Sequence, residues 1–280
     1  MPLNWDVLAE VMIWLDRPDT TRMSRTCRAL RVIAPRMLLK DVVLIWRAEQ
    51  LSSLCRFMFA DRRRFRFLRK LSLEFLVEAE DLELGRLTAD LFSHLTELEW
   101  LDFYDCRLLE LHKSVLPPIS ALAKLQTLKL ENLTEHTYKF IKNTRLPLLE
   151  IVINFHGYYH FVDPIPVLSP FRHSLKKATV TFVDLSARGV RYPLVTTLHV
   201  GDCDAAELRV LESCFLNLRE LSFESAHEEV MWSGGEVEMT RNLNLNPEIR
   251  DPWASLARLT GDILSLYILG VQCREWNTRT

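Results

Sequence analysis

The sequence predicts an α/β chain in which a compact helical unit precedes a series of strand-plus-helix units. Two observations carry this reading. Apolar residues recur at helical spacing over roughly the first forty positions, and from Leu68 onward a phrase of the form L-x-x-L-x-L-x-x-(L/C/V) returns again and again. The first pattern has the 3.6-residue period of one helix face; the x-L-x-L core of the second has the period of two that belongs to a strand.

Val7, Leu8, Val11, Met12 and Leu15 share one helical face, with Asn4 as N-cap and Asp6 in the first turn. Asp16-Arg17-Pro18-Asp19 then breaks the helix, because proline lacks an N–H and restricts the residue before it. Asp19 or Thr20 is expected to cap a second stretch carrying Met23, Cys27 and Leu30, which Pro35 ends or bends.

The phrases fall at Leu68-Leu71-Leu73-Leu76, Leu98-Leu101-Phe103-Cys106, Leu125-Leu128-Leu130-Leu133 and, more loosely, Leu148-Ile151-Ile153. Partly substituted copies follow at Leu175-Ala178-Val180-Val183, Val195-Leu198-Val200-Cys203, Leu218-Leu221-Phe223-Ala226 and Ile263-Leu266-Ile268-Val271. Successive second positions from 71 to 221 are 20 to 30 residues apart. That spacing surrounds the period of leucine-rich repeats, in which each coil is one strand plus a helix or irregular return. A doubly wound sheet gives similar spacing, but does not require the phrase. The expected architecture is an irregular, curved leucine-rich-repeat solenoid over 68–280, reached through a linker helix over 46–67 that leads into the first repeat. The last gap is 45 residues, and 226–254, with Gly234-Gly235, Pro247 and Pro252, reads as an inserted loop.

Composition narrows the function classes. The 280 residues are 48% hydrophobic and carry 35 basic against 37 acidic side chains, so no overall polyelectrolyte character points to nucleic acid or a membrane surface. Six cysteines, at 27, 55, 106, 203, 214 and 273, form no C-x-x-C pair and no disulfide framework. The longest nearly apolar stretch, Ile263 to Val271, falls far short of the roughly 20 residues of a membrane span. Asp6 and Glu10 interrupt the apolar N-terminal residues, unlike a signal peptide. A soluble protein of the cytoplasm or nucleus is expected, with no membrane partner.

The opening residues Leu3-Asn4-Trp5-Asp6-Val7-Leu8-Ala9-Glu10-Val11-Met12-Ile13-Trp14-Leu15-Asp16, with Met23, Cys27, Arg28, Ala29 and Leu30 downstream, resemble the F-box phrase. With the repeats behind it, the chain resembles an F-box protein with a leucine-rich-repeat receptor of a divergent, fungal type. The resemblance implies a three-helix F-box over 1–45 that docks a Skp adaptor and, through it, a cullin. It further implies that the chain is the substrate-recognition subunit of an SCF-type ubiquitin ligase, not itself an enzyme, without catalytic residues, cofactor or metal. Leu3, Val7, Leu8, Val11, Met12, Leu15, Met23, Cys27 and Leu30 are the adaptor-binding candidates, the first six divided between internal core and interface, because so short a unit cannot bury every apolar side chain itself. Asn4 stands where the family carries proline, and Thr26 where it carries valine. The alternative, a binding module, is a repeat scaffold whose degenerate F-box no longer recruits a ligase.

Three other constellations compete. Between Arg17 and Lys40 seven basic residues face a single acidic one, Asp19, as in the recognition helix of a helix-turn-helix DNA-binding protein. An acidic protein partner explains them equally well, and the turn lacks a characteristic glycine, so nucleic acid is not the expected partner. Arg62-Arg63-Arg64-Phe65-Arg66-Phe67 interleaves charge and aromatics, which suits either base stacking or a solvated face with the phenylalanines packed inward; the second is favoured. His156 and His160 have metal-ligand spacing, but no cysteine or glutamate completes a site. No nucleophile elbow or phosphate-binding glycine loop is present.

If the L-x-L positions point inward, alternation turns the intervening residues outward to form a recognition surface for a protein substrate. Trp100, Asp102, Tyr104, Lys129, Glu131 and Asn154 are the candidate substrate face, with Trp100 and Tyr104 as anchors.

Overall fold

In the computed structural model, the described residues are 5–76, 81–155, 162–187, 189–206, 208–225, 256–269 and 275–278, with 238, 239, 241, 242 and 244 between them. They fall into two compact units, Met1–Asp102 with His112–Leu125, and Phe103–Leu111 with Gln126–Thr280.

The first unit opens with three helices, α1 (Trp5–Trp14), α2 (Arg17–Ser24) and α3 (Arg28–Leu38). The break after α1 comes where Pro18 predicts it, but the cap is Asp16 and not Asp19 or Thr20: the Asp19 N–H donates to the Asp16 carboxylate at 2.8 Å. Pro18 therefore lies in the first turn of α2, where its missing N–H is not needed. The stretch through Met23, Cys27 and Leu30 is divided and is not one helix. Hydroxyls of Ser24 and Thr26 donate to the carbonyls of Thr21 and Met23, competing with the helical ladder, and Cys27 becomes the N-cap of α3, its sulfur accepting from the Leu30 N–H at 3.5 Å. Pro35 neither ends nor starts a helix; α3 runs through it to Leu38. Met12, Leu30 and Ala34 form the buried centre of this bundle, with Leu8, Leu15, Met23, Cys27 and Met37 packed around it.

A strand not anticipated in the sequence follows. β1 (Val43–Ile45) pairs in parallel with β2 (Lys70–Leu73), placing Val43 opposite Leu71. Lys40 occupies the position where the phrase would have its first leucine, which hid β1 from pattern reading. Between the two strands run α4 (Ala48–Phe59) and a 3-10 turn, Arg62–Phe67. α5 (Leu82–His94) precedes β3 (Trp100–Phe103), whose last residue belongs to the second unit. Gly85 lets α5 approach the chain at His112, since a Cβ there would lie 2.3 Å from the imidazole Nδ1.

In the second unit β4 (Thr127–Leu130), β5 (Glu150–Asn154), β6 (Lys177–Leu185), β7 (Thr197–Ala206), β8 (Glu220–Ser225), β9 (Arg258–Gly261) and β10 (Glu275–Thr278) pair in parallel and in chain order. Helices such as Glu135–Asn143, Pro164–Leu168 and Leu208–Cys214 make the returns that parallel pairing demands. The phrases are buried as alternation requires: Leu125, Leu128 and Leu130, Leu148, Ile151 and Ile153, and Leu218 and Leu221 are wholly inaccessible.

The fourth position of the phrase poses a parity problem, because two intervening residues would turn it outward in an ideal strand. The backbone solves this with a left-handed residue just before it. Asn132, Phe182 and Asp202 have φ of 52°, 58° and 47°, each two residues past the third apolar position, and Leu133, Val183 and Cys203 are thereby buried. Against β8, β7 shows the corresponding register shift between Val200 and Cys203.

Two phrase positions are corrected. Leu76 is 55% exposed and Phe75 is buried in its place. The final phrase, Ile263-Leu266-Ile268-Val271, is not a strand: Ile263–Leu269 is a helix, started by the Asp262 carboxylate accepting from the Ser265 N–H at 2.8 Å, and the strand is β9 just before it. Gly261 is required there, because a Cβ would lie 2.3 Å from the Phe223 carbonyl oxygen. Most of the inserted loop 226–254 lies outside the described residues, as do Leu3, Asn4, Ala226, Val271, Cys273 and the histidines at 156 and 160. Among the described residues no helix is long and apolar enough to cross a membrane.

Candidate functional site

α1 divides its apolar residues between two sides. Met12 is wholly buried with Leu30 and Ala34, and Leu8 and Leu15 pack against them. Val7, Val11 and Trp14, spaced i, i+4 and i+7, form a second stripe that α2 and α3 leave uncovered, at 54%, 43% and 88% exposure. Ile13 flanks it, and Val32 of α3 is also exposed. Of the adaptor candidates described, Val7 and Val11 are therefore open to a partner. Met12 and Leu30 are not, because the bundle core already covers them, and Leu8, Leu15, Met23 and Cys27 are mostly turned to that core. Trp14 and Ile13 were missed as site residues because they fall off the core-facing i, i+4 series. Their signal was a helix with apolar residues on more than one side.

Most outward residues of the strands are polar. In the first unit Trp100 and Asp102 are half-buried, as Ser72 of β2 is fully. In the second unit, Tyr104 is exposed, and its carbonyl accepts from the Asn132 side chain at 3.0 Å. Register aligns Thr127, Glu150, Lys177, Thr197, Glu220 and Arg258 in one row. Along it Lys177 pairs with Glu150 at 2.8 Å and Arg258 with Glu220 at 3.7 Å, so opposite charges stand on neighbouring strands. Lys129 begins the next row, beside Val152, Thr179 and His199, and Asn154 pairs with Thr181 in a third, while Glu131 lies just beyond the end of β4. Lys129, Glu131 and Asn154 are half-buried, and each has interactions of its own.

Parts of the two basic constellations are tied into packing. Arg17 donates to the Val42 carbonyl at 2.5 Å and Arg22 pairs with Asp19 at 2.8 Å, which ties two of the helix-turn-helix arginines to this chain. Phe65 is buried between Phe59 and His94, with ring centroids 5.3 and 5.1 Å away, and Arg64 lies 4.2 Å over the Phe57 ring. Cys106 and Cys203 are buried at their phrase positions. Burial pushes the Cys55 thiol up to about 11, with Asp90 adding to the effect, and the Cys214 thiol is also raised by burial, so neither is an activated nucleophile. Tyr192, wholly buried and stacked on Phe215, donates its hydroxyl to the Ile165 carbonyl; burial raises its pKa far above the ordinary phenol value. Among the described residues no group of three or more His, Cys, Asp or Glu is placed to hold a metal.

No protein-family model matches the chain, and no curated protein matches its sequence.

Proposed function

We propose that residues 1–45 are an F-box that docks a Skp-type adaptor, and that 68–280 form a leucine-rich-repeat-type solenoid holding a protein substrate. In this reading the chain is the substrate-recognition subunit of an SCF-type ubiquitin ligase, acting in cytoplasm or nucleus, and it performs no chemistry itself. The observation that carries the proposal is the Val7–Val11–Trp14 stripe, an apolar surface on a helical unit that its own core leaves open. Burying one such side chain in an interface contributes about 1.5–3 kcal/mol, so three together make a substantial anchor. The strand rows support the second half, since they present mostly polar residues in regular register on one face. Transfer of ubiquitin then becomes effectively intramolecular, because adaptor and substrate are held by one chain.

Co-purification of the full chain with a Skp adaptor tests the proposal. Val11→Glu with Trp14→Glu is expected to abolish capture while leaving the thermal melt of the protein intact, because neither side chain contributes to the bundle core. Undiminished capture by the folded double variant sinks the assignment of this face. Failure of the wild-type chain to capture any adaptor favours the scaffold with a degenerate F-box.

A further inference from the structure

Independently of the adaptor reading, the first unit contains a cleft with an unusual charge balance. It measures about 650 Å³ and is lined by Arg36, Lys40, Arg66, Phe67, Arg69 and Glu97. The cations come from separate segments: Arg36 from the last turn of α3, Lys40 from just beyond it, Arg66 from the 3-10 turn and Arg69 from the approach to β2. α3 packs against the 3-10 turn, which brings two of these segments together.

The negative side of the balance is already spent. Glu97 is held by the Lys124 ammonium at 2.6 and 2.7 Å, and Arg69 is paired with Glu99 outside the lining. Among the described residues Arg36, Lys40 and Arg66 have no carboxylate within ion-pair distance; Arg66 lies 4.6 Å over the Phe67 ring. The chain as a whole carries a formal charge of −2, so this excess is local to the cleft. A carbonyl-ended helix accounts for cations at Arg36 and Lys40, but not for Arg66.

We propose that this cleft binds a compact, soluble anion bearing two or more phosphate groups. Arginine forks and a lysine ammonium are the donors that phosphate oxygens take, and the volume lies within the range of small-molecule sites. Single-stranded nucleic acid fits less well. Base stacking needs open aromatic faces, whereas Phe65 is buried against Phe59 and His94 and one face of Phe67 is covered by Arg66.

Titration calorimetry of the full chain with sodium tripolyphosphate tests this. Saturable binding to one site is expected, weakening as salt rises. Arg36→Ala and Arg66→Ala should each lower affinity about tenfold, the loss of one charged hydrogen-bonding partner. Lys113→Ala with Arg145→Ala, which removes two exposed cations elsewhere, should leave it unchanged. Should an alanine variant fail to fold, Arg66→Lys keeps the charge and loses the fork, and a smaller drop is expected. Absence of saturation, equal loss in the Lys113/Arg145 control, or displacement by an oligonucleotide whose affinity grows with length overturns the proposal.

Discussion

The helices α1–α3 and the strands β4–β8 treat their apolar residues in opposite ways. Along the strands almost every apolar phrase residue is inaccessible and the outward rows are polar, with charges matched between neighbours such as Glu150 and Lys177. In α1, by contrast, Val7, Val11 and Trp14 remain open although Met12 beside them is fully buried. Both regions are built from comparable apolar content, but a parallel sheet backed by helices buries one face of every strand, whereas three short helices enclose only a narrow seam. The teaching is that burial, and not hydrophobicity, separates side chains that hold this molecule together from those available to something else.

The largest expected effect breaks the strand side of that contrast. Leu128→Ala removes a side chain with no exposure, sandwiched by register beside Ile151, and is expected to lower unfolding free energy by about 2–5 kcal/mol. Equilibrium denaturation measures it, and a loss below about 1 kcal/mol would mean that the strand core can collapse around the cavity. A smaller loss is expected from Gly261→Ala, about 1–3 kcal/mol, because the added methyl meets the Phe223 carbonyl at 2.3 Å and backbone must move. A neutral outcome would place β9 differently against β8.

That glycine also shows where pattern reading stops. The phrases from Leu98 to Phe223 were legible because period two survives substitution: Phe103, Ala178 and Val180 keep the alternation while changing the residue. Beyond Ala226 the same letters mislead. Leu266 and Leu269, three apart, suit one face of a short helix as readily as Leu266 and Ile268 suit a strand, and only Asp262, capping Ser265, decides between them. β1 and β10 escaped for a different reason: Lys40 replaces the leading leucine of one, and Glu275–Thr278 has a single large apolar residue. Within the helical unit, spacing found the apolar residues but not their assignment. Which of Val7 and Met12 faces inward depends on where α3 packs, and that is set by Leu30 and Ala34 far along the chain. The basic cleft was invisible for the same reason, since its cations stand between positions 36 and 69 and only folding gathers them.

The smallest expected effect sharpens the helical side. Val7→Ser with Trp14→Ser removes two large apolar side chains, yet both lie outside the Met12–Leu30–Ala34 centre, and Trp14 keeps 88% of its surface in water. Substitutions at such positions stay within about 0.5 kcal/mol of wild type each, because little area leaves water on folding and none is given back. The unfolding midpoint of the double variant should therefore nearly coincide with that of the wild type, in the same denaturation experiment in which Leu128→Ala shows its loss. A drop of several kcal/mol would show that the stripe is covered by this chain itself, and would remove the ground for an external partner there. If stability holds while adaptor capture falls, the two side chains act at a contact that exists only in the complex, which no internal packing role reproduces.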